Sequence, residues 1–244
     1  MSLFLLTLPK KLMNALLLSN STNFGQSYMS HAKQVVADFL GTKKQVLFIP
    51  YAGVTVSYDA YTETVQKALG DHGIQVVGIH TCDNPLEAIQ NAEAIVIGGG
   101  NTFRLLQQLQ EKQLLDPIRE SVQHGIPYVG WSAGSNVAGP TLCTTNDMPI
   151  VEPSSFECLN LVPYQINPHY SEGTIANHGG ESRKARLMEY ITLNHTDVIC
   201  LPESSWLKIQ NGQTTYHGLG TMKVYRHPDE VLDFESNVAD SYFK

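Results

Sequence analysis

The apolar positions in the first half of the chain fall into two alternating rhythms. Short runs rich in β-branched and aliphatic residues lie at 15–19, 45–50, 74–80, 94–97 and 127–131. Between them, at 26–40, 58–69, 84–92 and 102–124, the sequence reads as helix. In 58–69, Tyr61, Val65 and Leu69 recur at i, i+4 and make one buried stripe. Gln45-Val46-Leu47-Phe48-Ile49 and Ala94-Ile95-Val96-Ile97 lack the polar alternation of a half-exposed strand, so both faces are expected to be covered. Strands and helices in this order predict an α/β fold: a doubly wound, mostly parallel sheet with helices on both faces.

The second half is less regular. Residues 139–182 carry several Pro, Gly and Asn and little helical periodicity. Helix returns at 183–193, a strand at 198–201, and a hairpin is predicted within 206–225, turning at Asn211-Gly212. No repeat or linker divides the chain, so residues 13–244 read as one domain. Residues 1–12 read as an N-terminal extension, with Met13 an alternative start. The opening Leu3-Phe4-Leu5-Leu6 is apolar, but no basic region precedes it, and Lys10-Lys11 follow where a small-residue cleavage site would be expected of a signal peptide.

Composition narrows the classes of function. Of 244 residues, 42% are apolar and 16% charged, which supplies a large core and argues against disorder or a coiled coil. The net charge of −7 and the lack of any Lys/Arg run longer than two exclude an ordinary nucleic-acid face. Any anionic substrate must be held by local Arg or Lys. Cys82, Cys143, Cys158 and Cys200 are too widely spaced for a zinc site or redox pair and are expected as free thiols. No apolar stretch reaches the roughly 18 residues a membrane helix needs.

In a doubly wound sheet, ligands bind beyond the carboxyl ends of the strands. Four notable segments fall there: Ser19-Asn20-Ser21-Thr22, Tyr51-Ala52-Gly53-Val54, Gly98-Gly99-Gly100-Asn101 and Gly130-Trp131-Ser132-Ala133-Gly134. The last matches G-x-S-x-G, in which small residues permit a sharp strand-to-helix bend that exposes a serine Oγ. By itself the pattern also fits an ordinary glycine-flanked turn. The glycines at 98–100 can turn N–H groups toward an oxyanion near Ser132, or form a plain tight turn; they match neither G-x-G-x-x-G nor a P-loop. A serine nucleophile needs a base. Of nine histidines, His169 stands out, in the polar, non-helical segment Gln165-Ile166-Asn167-Pro168-His169. His80 ends a strand, His178 lies in a Gly-rich stretch, and His31, His72, His124, His195 and His227 have surface or helical settings. The base needs an orienting carboxylate. Asp147 and Glu203 are the candidates, each also explicable as a helix cap or solvated loop acid.

These segments, with Leu18-Ser19-Asn20-Ser21-Thr22, Ile49-Pro50-Tyr51-Ala52-Gly53-Val54, Gly98–Phe103, Gly130–Asn136, Thr144–Val151 and Leu201-Pro202-Glu203, together resemble the peptidase E family of α-aspartyl dipeptidases. The resemblance spans Met13 to at least Trp206. It implies a fold like that of class I glutamine amidotransferases, and cytoplasmic hydrolysis of small dipeptides with an N-terminal aspartate, without metal or cofactor. It implies no nucleic-acid or membrane partner, and a monomer or homodimer. It makes Ser132 the nucleophile and His169 the base. It offers both Glu203 and Asp147 as the third member, of which Glu203, past a neighbouring strand, is favoured. Gly99, Gly100, Asn101 and Ala133 are implied around the oxyanion and substrate, and Arg183 looks like the family's aspartate reader, since a guanidinium holds a carboxylate by two bonds. After Glu203 this chain has Ser204-Ser205 where relatives often show glycine first. The rival readings are a cyanophycinase-like hydrolase of aspartyl polymers, and a catalytically silent protein binding acidic metabolites on the same fold.

Overall fold

The computed structural model describes residues 13–172, 180–228 and 230–236. The expected extension at 1–12, His178 and the final residues of the chain lie outside the described residues.

The strands are β1 (Ala15–Leu18), β2 (Gln45–Ile49), β3 (Gln75–Gly78), β4 (Ile95–Ile97), β5 (Tyr128–Trp131), β6 (Gln165–Tyr170), β7 (Val198–Pro202), β8 (Ser205–Gln210), β9 (Gln213–Gly218), β10 (Met222–Arg226) and β11 (Glu230–Phe234). The helices are α1 (Lys33–Leu40), α2 (Tyr58–Leu69), α3 (Pro85–Gln90), α4 (Thr102–Glu111), α5 (Leu115–Gln123), α6 (Ala133–Asn136) and α7 (Arg183–Asn194).

The main sheet runs β3-β2-β4-β5-β1-β8-β9, parallel from β3 to β1 and antiparallel beyond. Its central strands β2, β4, β5 and β1 are buried on both faces, and their alternation sorts the core. Leu16, Leu18, Val46, Phe48, Val96 and Val129 pack with Val36 and Leu40 of α1 and Val65 and Leu69 of α2. Leu17, Leu47, Ile49, Ile95 and Ile97 pack with Ile89, Leu105, Leu109, Ile118 and Val122 from α3, α4 and α5. This is the doubly wound α/β architecture that the sequence pattern predicts.

A second sheet, β11-β10-β7-β6, was not legible in the sequence. One face, with Ile166, Ile199, Leu201 and Val224, joins the core under the main sheet. The other, with Tyr170, Val198, Cys200 and Tyr225, is covered by Leu187 and Ile191 of α7. The turn Pro202–Ser205 carries the chain from one sheet to the other.

Several predicted boundaries move, each for a local reason. The helix expected over 26–40 begins only at Lys33; before it Met29 adopts φ 59°, and the turns there bury Met29 fully. The single helix expected over 102–124 is two. Gln113 takes φ 57° between them and buries Leu114, a left-handed break at a non-glycine residue that composition does not announce. The Gln165–His169 segment, expected as a loop, is strand β6, paired in parallel with β7 and bulged between Asn167 and Tyr170. The hairpin at Asn211-Gly212 is present as β8–β9, but the chain from Met222 leaves it for the second sheet. No helix among the described residues is long and apolar enough to cross a membrane.

Candidate active site

Ser132 follows β5 with φ 53° and ψ −113°, a conformation L-residues rarely adopt, and α6 begins at the next residue. The neighbouring glycines make the bend possible. A Cβ on Gly130 would lie 2.5 Å from the Gly134 carbonyl oxygen, and one on Gly134 would overlap the carbonyl oxygen of Ile97 on the adjacent strand β4. Ser135 ties the elbow down, its Oγ donating to the carbonyls of Leu18 (2.7 Å) and Gly130 (2.9 Å). The Tyr128 hydroxyl donates to Gly134 O at 2.5 Å. The helix after the elbow is a single turn of 4 residues. Its dipole is therefore short, and Ala133 contributes chiefly its first-turn N–H, which has no partner within the helix.

His169 reaches Ser132 from the second sheet. The β6 bulge puts its backbone at φ 56°. Its N–H donates to Ser19 Oγ (2.8 Å), which in turn donates to Leu201 O (2.9 Å), so the end of β1 clamps the two sheets together beneath the imidazole. Nε2 lies 2.8 Å from Ser132 Oγ, and Nδ1 lies 2.7 Å from Glu203 Oε1. With a carboxylate on Nδ1, that nitrogen carries the ring proton, and Nε2 is left to accept from the serine.

Glu203 stands on the turn between the sheets. Ser204 follows with φ 61°, and its N–H donates to Asn20 Oδ1 at 2.8 Å. A glycine would take this left-handed position without strain; Ser204 adopts it while Asn20 fixes the turn.

Asp147, the other candidate acid, does not reach His169. Its Oδ2 accepts from Thr102 N (2.7 Å) and Thr102 Oγ1 (2.6 Å) at the start of α4, and from Thr145 Oγ1 (3.2 Å). It anchors the 144–151 segment to α4, where its charge also suits the positive end of the helix. Asp147→Asn is expected to cost about 1–2 kcal/mol, seen as a melting temperature lower by roughly 2–8 °C. Glu203→Gln is expected to lower kcat by about 10²–10⁴-fold, by removing the charge that supports the imidazolium. Thermal melts and steady-state kinetics on the two variants separate an anchor from an orienting acid.

The loop after β4 lies against the nucleophile: a Cβ on Gly99 would sit 2.9 Å from Ser132 Cβ. Tyr61 donates to Gly99 O at 3.0 Å and accepts from Trp131 Nε1 at 3.1 Å; burial pushes its hydroxyl pKa up and keeps it a neutral donor. The N–H groups of Gly99 and Gly100 have no acceptor among the described residues. Both glycines line a cavity of about 550 Å³ with Ser132, His169, Tyr28 and Ala52. Asn101 also borders it, but its side chain is committed elsewhere: Oδ1 caps α4 at Arg104 N (3.0 Å) and Nδ2 donates to Met148 O (2.9 Å). Asn101 thus borders the Ser132 cavity while its side chain holds the start of α4 and the 144–151 segment.

Arg183 is the first residue of α7, with Ser182 as its cap. It is half-buried, and its Nη1 donates to the His169 carbonyl oxygen. Burial lowers its pKa, with Cys200, Tyr170 and Glu203 acting against that shift. It has no carboxylate partner among the described residues.

Ser19 and Asn20 were visible only as a strand-end segment, and their clamping roles needed the fold. His31 is a further group near Glu203. Burial lowers its pKa, opposed by a backbone bond at Asn20 and the Glu203 charge. His80, expected at the end of a strand, lies instead in a 3-10 turn over Ile79–Thr81 after β3, where Asp59 takes it up at 2.9 Å. Among the described residues no group of three His, Cys, Asp or Glu side chains is placed to hold a metal.

A serine, a histidine and a glutamate in hydrogen-bonded series, beside two glycine amides, form an apparatus for acyl transfer. The family model for peptidase family S51 matches residues 15–217. The chain belongs to this family. It is a serine-type dipeptidase. It is 49% identical over 221 residues to a peptidase E of Nostoc sp. strain PCC 7120, covering 90% of this chain and 91% of that one. It is 44% identical over 225 residues to peptidase E of Salmonella paratyphi A, covering 92% and 98%. Among solved structures, a protein of Listeria monocytogenes EGD-e described as a peptidase E superposes with a TM-score of 0.65 at 23% identity, over 86% of this chain and all of that one. A peptidase from an acI-B1 actinobacterium superposes at 0.70 and 17%, over 94% and 97%. These two likenesses concern the fold.

Proposed function

We propose that this peptidase hydrolyses dipeptides with an N-terminal aspartate through an acyl-enzyme on Ser132. The reading rests chiefly on the Glu203–His169–Ser132 series, with contacts of 2.7 and 2.8 Å. His169 Nε2 takes the Oγ proton as Oγ attacks the aspartyl α-carbonyl carbon. The resulting oxyanion is met by the N–H groups of Gly99, Gly100 and Ala133. Glu203 supports the imidazolium, which then protonates the departing amine. Water, deprotonated by the same imidazole, attacks the ester carbonyl and frees aspartate.

Arg183 is the reader of the aspartyl β-carboxylate in this proposal, arriving beside His169 with donors to spare. An uncharged asparagine would leave the half-buried guanidinium without its partner, a penalty of about 3 kcal/mol, or roughly 10²-fold. A screen of X-Leu dipeptides tests this. Asp-Leu is expected to exceed Asn-Leu and Glu-Leu in kcat/KM, and Arg183→Ala to abolish the Asp-over-Asn preference. Faster cleavage of poly-aspartate than of Asp-Leu would replace the dipeptide reading with a polymer one. Binding of acidic ligands without turnover of either would replace it with a silent binding protein.

A further inference from the structure

The depression at Ser132 continues past the nucleophile. Gly53, Val54 and Val56, from the segment leading into α2, line the Ser132 cavity together with Ile150. The same four residues line a second cavity of about 650 Å³, whose further wall includes Tyr58 and Arg104. The two spaces therefore meet along an apolar ridge. Its side chains are exposed as few large apolar groups are, at 55% for Val54, 40% for Val56 and 51% for Ile150. A water-facing ridge of this kind beside a peptidase nucleophile is surface that a substrate covers.

Arg104 supplies the polar end of this space. It is half-buried on the first turn of α4, held by the Asn101 cap on its N–H. Its Nη1 donates to Gln107 Oε1 at 2.9 Å, which leaves four of the five guanidinium N–H donors open. No carboxylate pairs with it among the described residues, although the chain carries 23 acidic against 16 basic side chains. A half-buried, unpaired guanidinium in an acidic protein is a preset carboxylate receptor.

Building on the dipeptidase reading above, we propose that Arg104 binds the free α-carboxylate of the leaving amino acid, while Val54, Val56 and Ile150 cover that residue's side chain. An aspartyl dipeptide carries one carboxylate at each end, and the protein then answers each with an unpaired arginine: Arg183 beside His169, Arg104 beyond the ridge. A third residue would carry the terminal carboxylate about 3.5 Å further along, off the guanidinium, so this contact also sets the substrate's length. The apolar ridge favours leucine or phenylalanine over aspartate or lysine as second residue, because a charged side chain there would lose water without gaining a partner.

The test compares kcat/KM for Asp-Leu and Asp-Leu-amide in the wild type, Arg104→Gln and Arg104→Lys. The wild type is expected to prefer the free acid by about 10–10²-fold. Arg104→Gln brings the ratio near one, chiefly through a higher KM for Asp-Leu, since this contact is made in ground and transition states alike. Arg104→Lys restores part of the preference, as a point charge without the bidentate fork. A wild-type ratio near one, or an unchanged ratio in Arg104→Gln, overturns the proposal. Should the wild type cleave neither aspartyl compound but hydrolyse another X-Leu, the aspartyl reading fails, and the same ratio on that X-Leu and its amide still decides the role of Arg104. Circular dichroism establishes that each variant is folded, and the lysine variant decides alone if glutamine disrupts the helix start.

Discussion

Ser132→Ala is expected to reduce kcat on an aspartyl dipeptide by about 10⁴–10⁶-fold while leaving substrate binding and thermal stability close to wild type. The Ser132 side chain hydrogen-bonds to His169 Nε2, and its Oγ takes no part in holding the elbow, which is the work of Ser135, Tyr128 and the flanking glycines. Removing Oγ therefore deletes the attacking atom and little else. Residues that act as one unit are not additive, so Ser132→Ala with His169→Ala should be scarcely slower than Ser132→Ala alone. Steady-state kinetics measures the loss, and titration calorimetry with Asp-Leu measures the retained affinity. Wild-type kcat in Ser132→Ala would remove Ser132 as nucleophile. A double variant slower by the product of the single losses would mean that the serine and histidine act independently.

Gly134→Ala is expected to damage both stability and catalysis. The added Cβ would overlap the backbone carbonyl of Ile97 in β4, which cannot retreat without breaking its place between β2 and β5. The elbow must move instead, and overpacking of this kind costs about 3 kcal/mol, a fall of roughly 10 °C in melting temperature. Because β4 also carries Gly98–Gly100, the shift separates Ser132 from the glycine amides and from His169. A displacement near 1 Å costs about 10²-fold in rate. Calorimetric melting and kcat measured on one preparation check both effects. A variant with wild-type stability and rate would show that the close approach of Gly134 to Ile97 is not needed.

On the readings proposed above, two arginines set the selectivity of the site in an acidic protein. An aspartyl dipeptide carries two carboxylates and one ammonium, a net charge of about −1, which the protein's net charge of −7 disfavours at long range, so recognition is left to contacts made at close quarters. Arg183 and Arg104 lie on different helices, and each is half-buried without a carboxylate of its own. Arg183 is singled out in the sequence only by the family resemblance, and Arg104 not at all; half-burial and the lack of a carboxylate partner among the described residues mark both.

Much of the main sheet was legible because its strands are uninterrupted apolar runs and its helices carry one stripe each. Period two and period 3.6 are properties of short windows, so Phe48 and Leu47 declare opposite faces without knowledge of what covers them. The elbow was legible for a related reason: a strained turn tolerates few residue types, and the glycines at 130 and 134 mark it locally. Likewise the hairpin turn Asn211-Gly212 is announced by its own residues, both at positive φ.

The second sheet and the choice of acid were decided elsewhere. Strands β6, β7 and β10 pair across more than twenty residues of chain, β6 with β7 in parallel and β10 with β7 antiparallel, and no local pattern encodes which runs become partners. In sequence Asp147 and Glu203 are both loop acids near a proline, and the preference for Glu203 rests only on its place past a neighbouring strand. What separates them is that Asp147 lies over the amino end of α4, while Glu203 sits on the turn joining the two sheets, 2.7 Å from a histidine that a bulge in β6 has swung toward Ser132. The sequence by itself determined the nucleophile's turn and the sheet that holds it, because those depend on short-range sterics and periodicity. Only the tertiary structure decided that His169 and Glu203 meet that turn, that Asp147 does not, and that Arg183 and Arg104 are half-buried, because contacts between distant segments are settled by long-range packing.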